Sequence, residues 1–146
     1  MLKGISPVLC PDLLSVLCRM GHGDEIVLAD AHFPGETFGK RVLRADGVDV
    51  PALLEGIIPL FALYEDPNQS LMMMQPDGGD QIDPAVEEAF DGAVRKHEPA
   101  APSIVRIERN AFYARAKEAF AVVVTGETSP YGNIILKKGV TPTAGQ

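Results

Sequence analysis

The chain has 146 residues, the usual length of one domain and too short for two comfortable cores. Its net charge is −7, from 20 acidic and 13 basic residues. Phosphate backbones and anionic lipid surfaces call for clustered Lys and Arg, so neither nucleic acid nor a membrane is an expected partner, and no apolar run reaches the roughly 18 residues of a bilayer span. A small neutral substrate, bound by hydrogen bonds, fits this balance best.

The N-terminus, Met1-Leu2-Lys3-Gly4, runs into Ser6-Pro7 with no long apolar stretch and no small-residue cleavage site, so the chain reads as cytoplasmic and without a secretory signal. Cys10-Pro11-Asp12 opens the first element: Pro11 suits the first helical position, and Asp12 complements the positive end of the helix dipole. Leu13, Leu14, Leu17 and Met20 fall near one face, and Gly21 is expected to end the helix as a left-handed cap. Cys10 and Cys18 flank or lie in this helix. At a rise of about 1.5 Å per residue they stand about 12 Å apart, too far for a disulfide, and free thiols suit a reducing compartment. Neither Cys-x-x-Cys nor His-x-x-x-His occurs to start a metal site.

Glu25-Ile26-Val27-Leu28-Ala29-Asp30 then reads as a strand buried on both faces. Ala31 to Glu36 reads as a loop, with Pro34 and Gly35 as breakers. Arg41 to Arg44 forms a short strand closed by Asp46-Gly47. Asp49 and Pro51 start a second helix, in which Leu53, Leu54, Ile57, Ile58 and Phe61 keep a core-facing rhythm and Pro59 bends or shortens the end. Leu71-Met72-Met73-Met74 is a buried strand. Asp83-Pro84 starts a third helix running to about Lys96, followed by a Pro-rich connection from His97 to Pro102. Ile104 to Arg109 is a strand, Asn110 caps a helix containing Tyr113, Ala116 and Lys117, and Phe120 to Thr125 is a further strand. A turn from Gly126 to Pro130 leads to Tyr131 and a last strand, Asn133 to Lys137.

Strands alternate with helices along most of the length, which predicts one α/β domain over residues 1–146 with helices flanking a buried sheet. The last two strands follow closely enough to pair as an antiparallel hairpin, so the sheet is expected to be mixed. No glycine-rich phosphate loop of either common spacing occurs, so nucleotide use has no support.

Three segments set polar groups beside breaks in structure. In Gly21-His22-Gly23-Asp24 the imidazole stands on a turn with room for a ligand, and histidine is well poised for proton transfer near neutral pH; equally, it could do no more than favour the helix C-terminus. Asp30, at the carboxyl end of a strand, stands where open α/β sheets present ligand groups, or else caps the following turn. His32 is either a second site residue or an exposed loop histidine, and His97 reads as a surface residue. Arg109, ending its strand, reaches a ligand or a surface carboxylate. Tyr131-Gly132-Asn133 offers a phenol and an amide that suit a polyol; the plainer alternative is a turn in which Gly132 takes unusual backbone angles and Asn133 caps the strand.

Taken together, Gly21-His22-Gly23-Asp24-Glu25-Ile26, Ala29-Asp30-Ala31-His32-Phe33-Pro34, Arg44-Ala45-Asp46-Gly47, Arg109-Asn110-Ala111-Phe112-Tyr113, Ala119 to Val122, Thr125-Gly126-Glu127 and Tyr131 to Val140 resemble the RbsD/FucU family of sugar mutarotases. The resemblance is ordered and covers nearly the whole chain, and is weakest between Leu63 and Ala101. Gly23, His32-Phe33-Pro34 and Tyr131-Gly132-Asn133 side with its fucose branch rather than its ribose branch. It implies interconversion of the α and β anomers of a deoxy-hexopyranose such as L-fucose, without a cofactor. It further implies a catalytic His22, with Asp30, Arg109, Tyr131 and Asn133 contacting sugar and Tyr131 assisting proton transfer. Finally, it implies a ring-like homo-oligomer, commonly a decamer in bacterial members, with sites near subunit boundaries.

Overall fold

The computed structural model describes residues 1–143, so the last three residues of the expected 1–146 domain lie outside the described part. Six strands form one mixed sheet in the order β2-β5-β1-β6-β3-β4. They are β1 (Glu25–Ala29), β2 (Val42–Ala45), β3 (Leu71–Met74), β4 (Val105–Ile107), β5 (Ala121–Thr125) and β6 (Ile134–Lys137). The helices are α1 (Pro11–Arg19), α2 (Gly35–Phe38), α3 (Val50–Ile57), α4 (Pro84–His97) and α5 (Arg109–Glu118).

Strand alternation divides the core into two. Ile26, Leu28, Leu71, Met73, Ala121, Val123, Ile134 and Leu136 face one way and pack with Leu13, Leu17, Leu53, Ile57, Phe90 and Val94 from α1, α3 and α4. Val27, Ala29, Met72, Met74, Val122, Val124 and Ile135 face the other way, against Phe33, Phe112, Ala116 and Ala119 beside α2 and α5. The methionine run therefore serves both cores, one residue at a time. Among the described residues no helix is long and apolar enough to cross a membrane, and Cys10 and Cys18 are free thiols.

The helix starts follow their chemistry. Asp49 accepts from the Ala52 amide and Asp83 from the Ala85 amide, each just before a proline in the first turn. Pro59 ends α3 by shifting the chain into a single 3-10 turn, Ile58–Leu60. Four expectations need correction. Helix α1 ends on Met20 in an extended conformation, and it is Gly23, not Gly21, that has positive φ. Gly35 and Glu36, expected to end a loop, instead open α2. The cap of α5 is Glu108, whose carboxylate accepts from Asn110 and Ala111, so Arg109 opens that helix instead of ending β4.

The fourth correction matters most. β5 and β6 do not form a hairpin: β5 pairs parallel with β1 and β2, while β6 pairs antiparallel with β1 and β3. The sheet is mixed, as expected, but by a different route. The 126–133 segment crosses over the carboxyl end of β1 to reach its far side.

Candidate active site

That crossing is anchored to the end of β1 by a short series of hydrogen bonds. The Thr125 hydroxyl donates to the Ala29 carbonyl at 2.7 Å, and the Ala31 amide donates to the Glu127 carbonyl at 2.8 Å. The Glu127 carboxylate, buried, accepts from the Val50 and Ser129 amides, which ties the crossing to the start of α3. At the crossing's far end the Asp30 amide donates to Asn133 Oδ1 at 2.7 Å. Only the oxygen of that amide group can accept, so Asn133 keeps its NH2 for another acceptor. Asp30 in turn accepts the His32 amide through Oδ1 at 2.9 Å, and its Oδ2 has no protein partner among the described residues. Asp30 thus does cap the following turn, and still has an oxygen to offer.

Tyr131 has φ 57°, the one non-glycine residue with positive φ among those described. Such a conformation is costly, of order 1–3 kcal/mol, and persists where surrounding contacts hold it. Gly132 is needed beside it for space: a Cβ there would lie 2.8 Å from the Ser129 carbonyl oxygen and 2.9 Å from Glu127 Cγ. The unusual angles expected of Gly132 therefore fall on Tyr131, whose phenol is carried across to the loop after β3. Its hydroxyl donates to Asp80 Oδ2 at 2.5 Å and accepts from the Asp77 amide at 3.0 Å. The Asp80 carboxylate pushes the phenol above its usual pKa, with the Asp77 amide acting the other way, so Tyr131 is neutral at pH 7.

Arg109, at the first position of α5, puts Nη1 3.0 Å from Asp77 Oδ2 and its guanidinium 5.3 Å from the centre of the Tyr113 ring. Tyr113 and, after it, Asp77 hold the guanidinium above its usual pKa. Asp30, Arg109, Tyr131 and Asn133 all line one cleft of about 320 Å³, together with His32, Asp77 and Asp80. This is at the small end of the roughly 300–1,000 Å³ of small-molecule sites. Phe33, Met74 and Tyr113 make its apolar side, with the Phe33 and Tyr113 rings stacked at 5.7 Å. His32 is exposed on its turn and also lines the cleft, so the structure is compatible with both roles sketched for it.

His22 is elsewhere. Its Nε2 lies 2.7 Å from Glu65 Oε1, and its ring stacks on Tyr64 at 5.3 Å. The turn that carries it is closed by the Gly21 amide on Asp24 Oδ2 and leads into the opposite end of β1 from Asp30. At about 3.3 Å per residue, β1 alone keeps its two ends about 13 Å apart. Within one chain, the imidazole does not reach the cleft.

The sequence reading did not find Asp77, Asp80, Met74 or Tyr113 in the cleft, or Glu65 on His22. Asp77 and Asp80 meet Tyr131 across 54 and 51 residues of chain, so no local spacing announces them. The one available hint is Asp77-Gly78-Gly79-Asp80, two carboxylates on a glycine-rich loop between strand and helix. Among the described residues no group of three or more His, Cys, Asp or Glu is arranged to hold a metal.

Residues 3–141 match the RbsD / FucU transport protein family. The chain belongs to this family. Among RbsD/FucU relatives it is 57% identical to an L-fucose mutarotase of Glaesserella parasuis over 142 residues, 97% of each chain. It is 55% identical to one of Actinobacillus pleuropneumoniae, again over 142 residues, 97% of this chain and 99% of the other. Its fold superimposes with a TM-score of 0.90 on the crystal structure of the fucose mutarotase of Streptococcus pneumoniae in complex with L-fucose, at 42% identity, covering 97% of this chain and 100% of that one. Of the five residues that the resemblance singles out, Asp30, Arg109, Tyr131 and Asn133 line this cleft and His22 does not.

Proposed function

We infer that this protein is an L-fucose mutarotase, a carbohydrate isomerase that exchanges the α and β anomers of L-fucopyranose. The observation that carries this is the cleft itself, where Asp30, Arg109, Tyr131 and Asn133 converge opposite an apolar wall. A 6-deoxy sugar has that same division: hydroxyls around most of the ring and one methyl group. Asp30 Oδ2 accepts from a hydroxyl, the Asn133 NH2 and Arg109 donate, and Phe33, Met74 and Tyr113 cover the methyl. Near-full-length identity to L-fucose mutarotases supports the same substrate.

Mutarotation opens the ring at C1, lets the aldehyde turn and closes it on the other face. A base takes the anomeric hydroxyl proton and an acid protonates the ring oxygen, and closure reverses both. His22 serves as the acid in opening and the base in closure. Since it cannot reach the cleft of its own chain, it is supplied by a second copy, with the chain assembled as a ring-like homo-oligomer, a decamer, acting in the cytoplasm. Its Nε2 is oriented by Glu65, and the other ring nitrogen is left for the sugar.

The test is NMR exchange between the anomers of L-fucose with and without protein, with D-ribose run in parallel. Faster exchange for fucose is the expected result. Unchanged fucose exchange in folded protein removes the assignment, and acceleration of ribose alone redirects it to a ribose pyranase.

A further inference from the structure

The polarity of Tyr131 is set by its partners. Its proton is donated to Asp80 Oδ2, and one acceptor site is taken by the Asp77 amide. A phenol oxygen in that arrangement has acceptor capacity left and no proton to give. Toward a sugar in the cleft it can only receive. Asp80 is exposed, on the glycine-containing loop between β3 and α4, and its carboxylate makes no ion pair among the described residues. It lines the same cleft as Tyr131 and accepts the Tyr131 hydroxyl, with no cation among the described residues in ion-pair range to compete for that oxygen.

We propose that Asp80 is a positioning residue for the reaction, the far end of a two-step proton relay that makes Tyr131 the base for the anomeric hydroxyl. In ring opening, the proton on O1 passes to Tyr131 Oη while the phenol's own proton passes to Asp80 Oδ2. The electron pair left on O1 forms the C1=O1 double bond. The C1–O5 bond breaks with its pair going to O5, which takes a proton from the acid on the other side of the sugar. Ring closure returns each proton by the same path, so Tyr131 is never a free phenolate and no charge accumulates on it. This assigns the protonation of the ring oxygen away from Tyr131. It rests on the mutarotase reading of this cleft.

The experiment measures kcat and KM for L-fucose anomer exchange in the wild type, D80N, D80E, Y131F and the double variant D80N/Y131F. Asparagine keeps an oxygen for the Tyr131 hydroxyl to donate to but cannot take its proton, so a residue that only holds the ring in place is left nearly intact by D80N. The relay predicts a kcat about 10²-fold or more below wild type in D80N, with KM within about threefold. It predicts recovery in D80E, a comparable kcat loss in Y131F, and a double variant no slower than the worse single, because the two residues act as one unit. Unfolding midpoints close to wild type establish that each variant is folded, as an exposed position leads one to expect. A normal kcat in D80N, a loss confined to KM, or multiplying losses in the double variant each overturn the relay. A wild type that leaves fucose exchange unchanged is a different failure: it removes the mutarotase reading, and the relay with it.

Discussion

His22 and Glu65 show how much of a residue's chemistry lies in its neighbours. The imidazole is about half exposed, on a turn that Gly23 closes with positive φ, and would swing freely but for Glu65 on Nε2 and Tyr64 beneath the ring. The Glu65 carboxyl titrates below the ordinary glutamate range, chiefly through its own backbone amide and secondly through His22. The sign follows from linkage. A carboxyl lowered by folding contributes stability above its ordinary pKa and loses it as pH falls through the lowered value. We therefore expect an NMR titration of the Glu65 side chain to show a midpoint below that of an unstructured glutamate. In His22→Ala the midpoint should move up part of the way, leaving the share owed to the backbone amide. A midpoint that does not move would mean that the two side chains are not coupled in solution.

Between residue and molecule stands the 126–133 crossing, which holds Tyr131 and Asn133 over the end of β1. Its anchor is Glu127, 8% exposed, with one carboxylate oxygen on the Val50 amide and the other on the Ser129 amide. Glu127→Ala leaves both donors without their partner, which is expected to cost about 2–3 kcal/mol in urea unfolding and to slow fucose exchange as Tyr131 loosens. Glu127→Gln, which keeps an acceptor oxygen, should lose less. This element also marks the limit of what local sequence carries. Apolar runs announced every strand core, and Asp-Pro and Asp-x-Pro announced two helix starts, because those signals act within a few residues. The neighbour of β6 is set instead by the register of Leu28 with Ile134 and Ile26 with Leu136, which no spacing argument between β5 and β6 contains. Helix α2 was hidden for a related reason. Pro34 and Gly35 read as breakers, yet Gly35 is there for a close approach: a Cβ at that position would come within 2.5 Å of Val124 Cγ2. Of the site, Asp30, Arg109, Tyr131 and Asn133 were legible through the family resemblance. Asp77 and Asp80 were not, since the phenol that gives them meaning lies 54 and 51 residues further along the chain.

For the whole molecule, His22 and the cleft stand at opposite ends of β1, so the mechanism proposed above requires an assembly of chains. A 1:1 mixture of His22→Ala and Arg109→Ala protein, each inactive alone, should regain up to about a quarter of wild-type exchange after subunits are allowed to reassort, because a symmetric ring then forms some sites from two intact halves. No recovery, with mixed oligomers demonstrated, would place His22 and the cleft in one chain or take His22 out of the reaction. The strand order has a further consequence, for the manufacture of the protein. β6 is the latest strand along the chain and lies in the interior of the sheet, between β1 and β3. Until it emerges from the ribosome, β2-β5-β1 and β3-β4 are two separate half-sheets, each with an unpaired inner edge of the kind that recruits other chains. A message cut short before Ile134 therefore yields not a weaker enzyme but a single chain carrying two unjoined, sticky half-sheets, and a working cleft comes only from chains that have been read through β6.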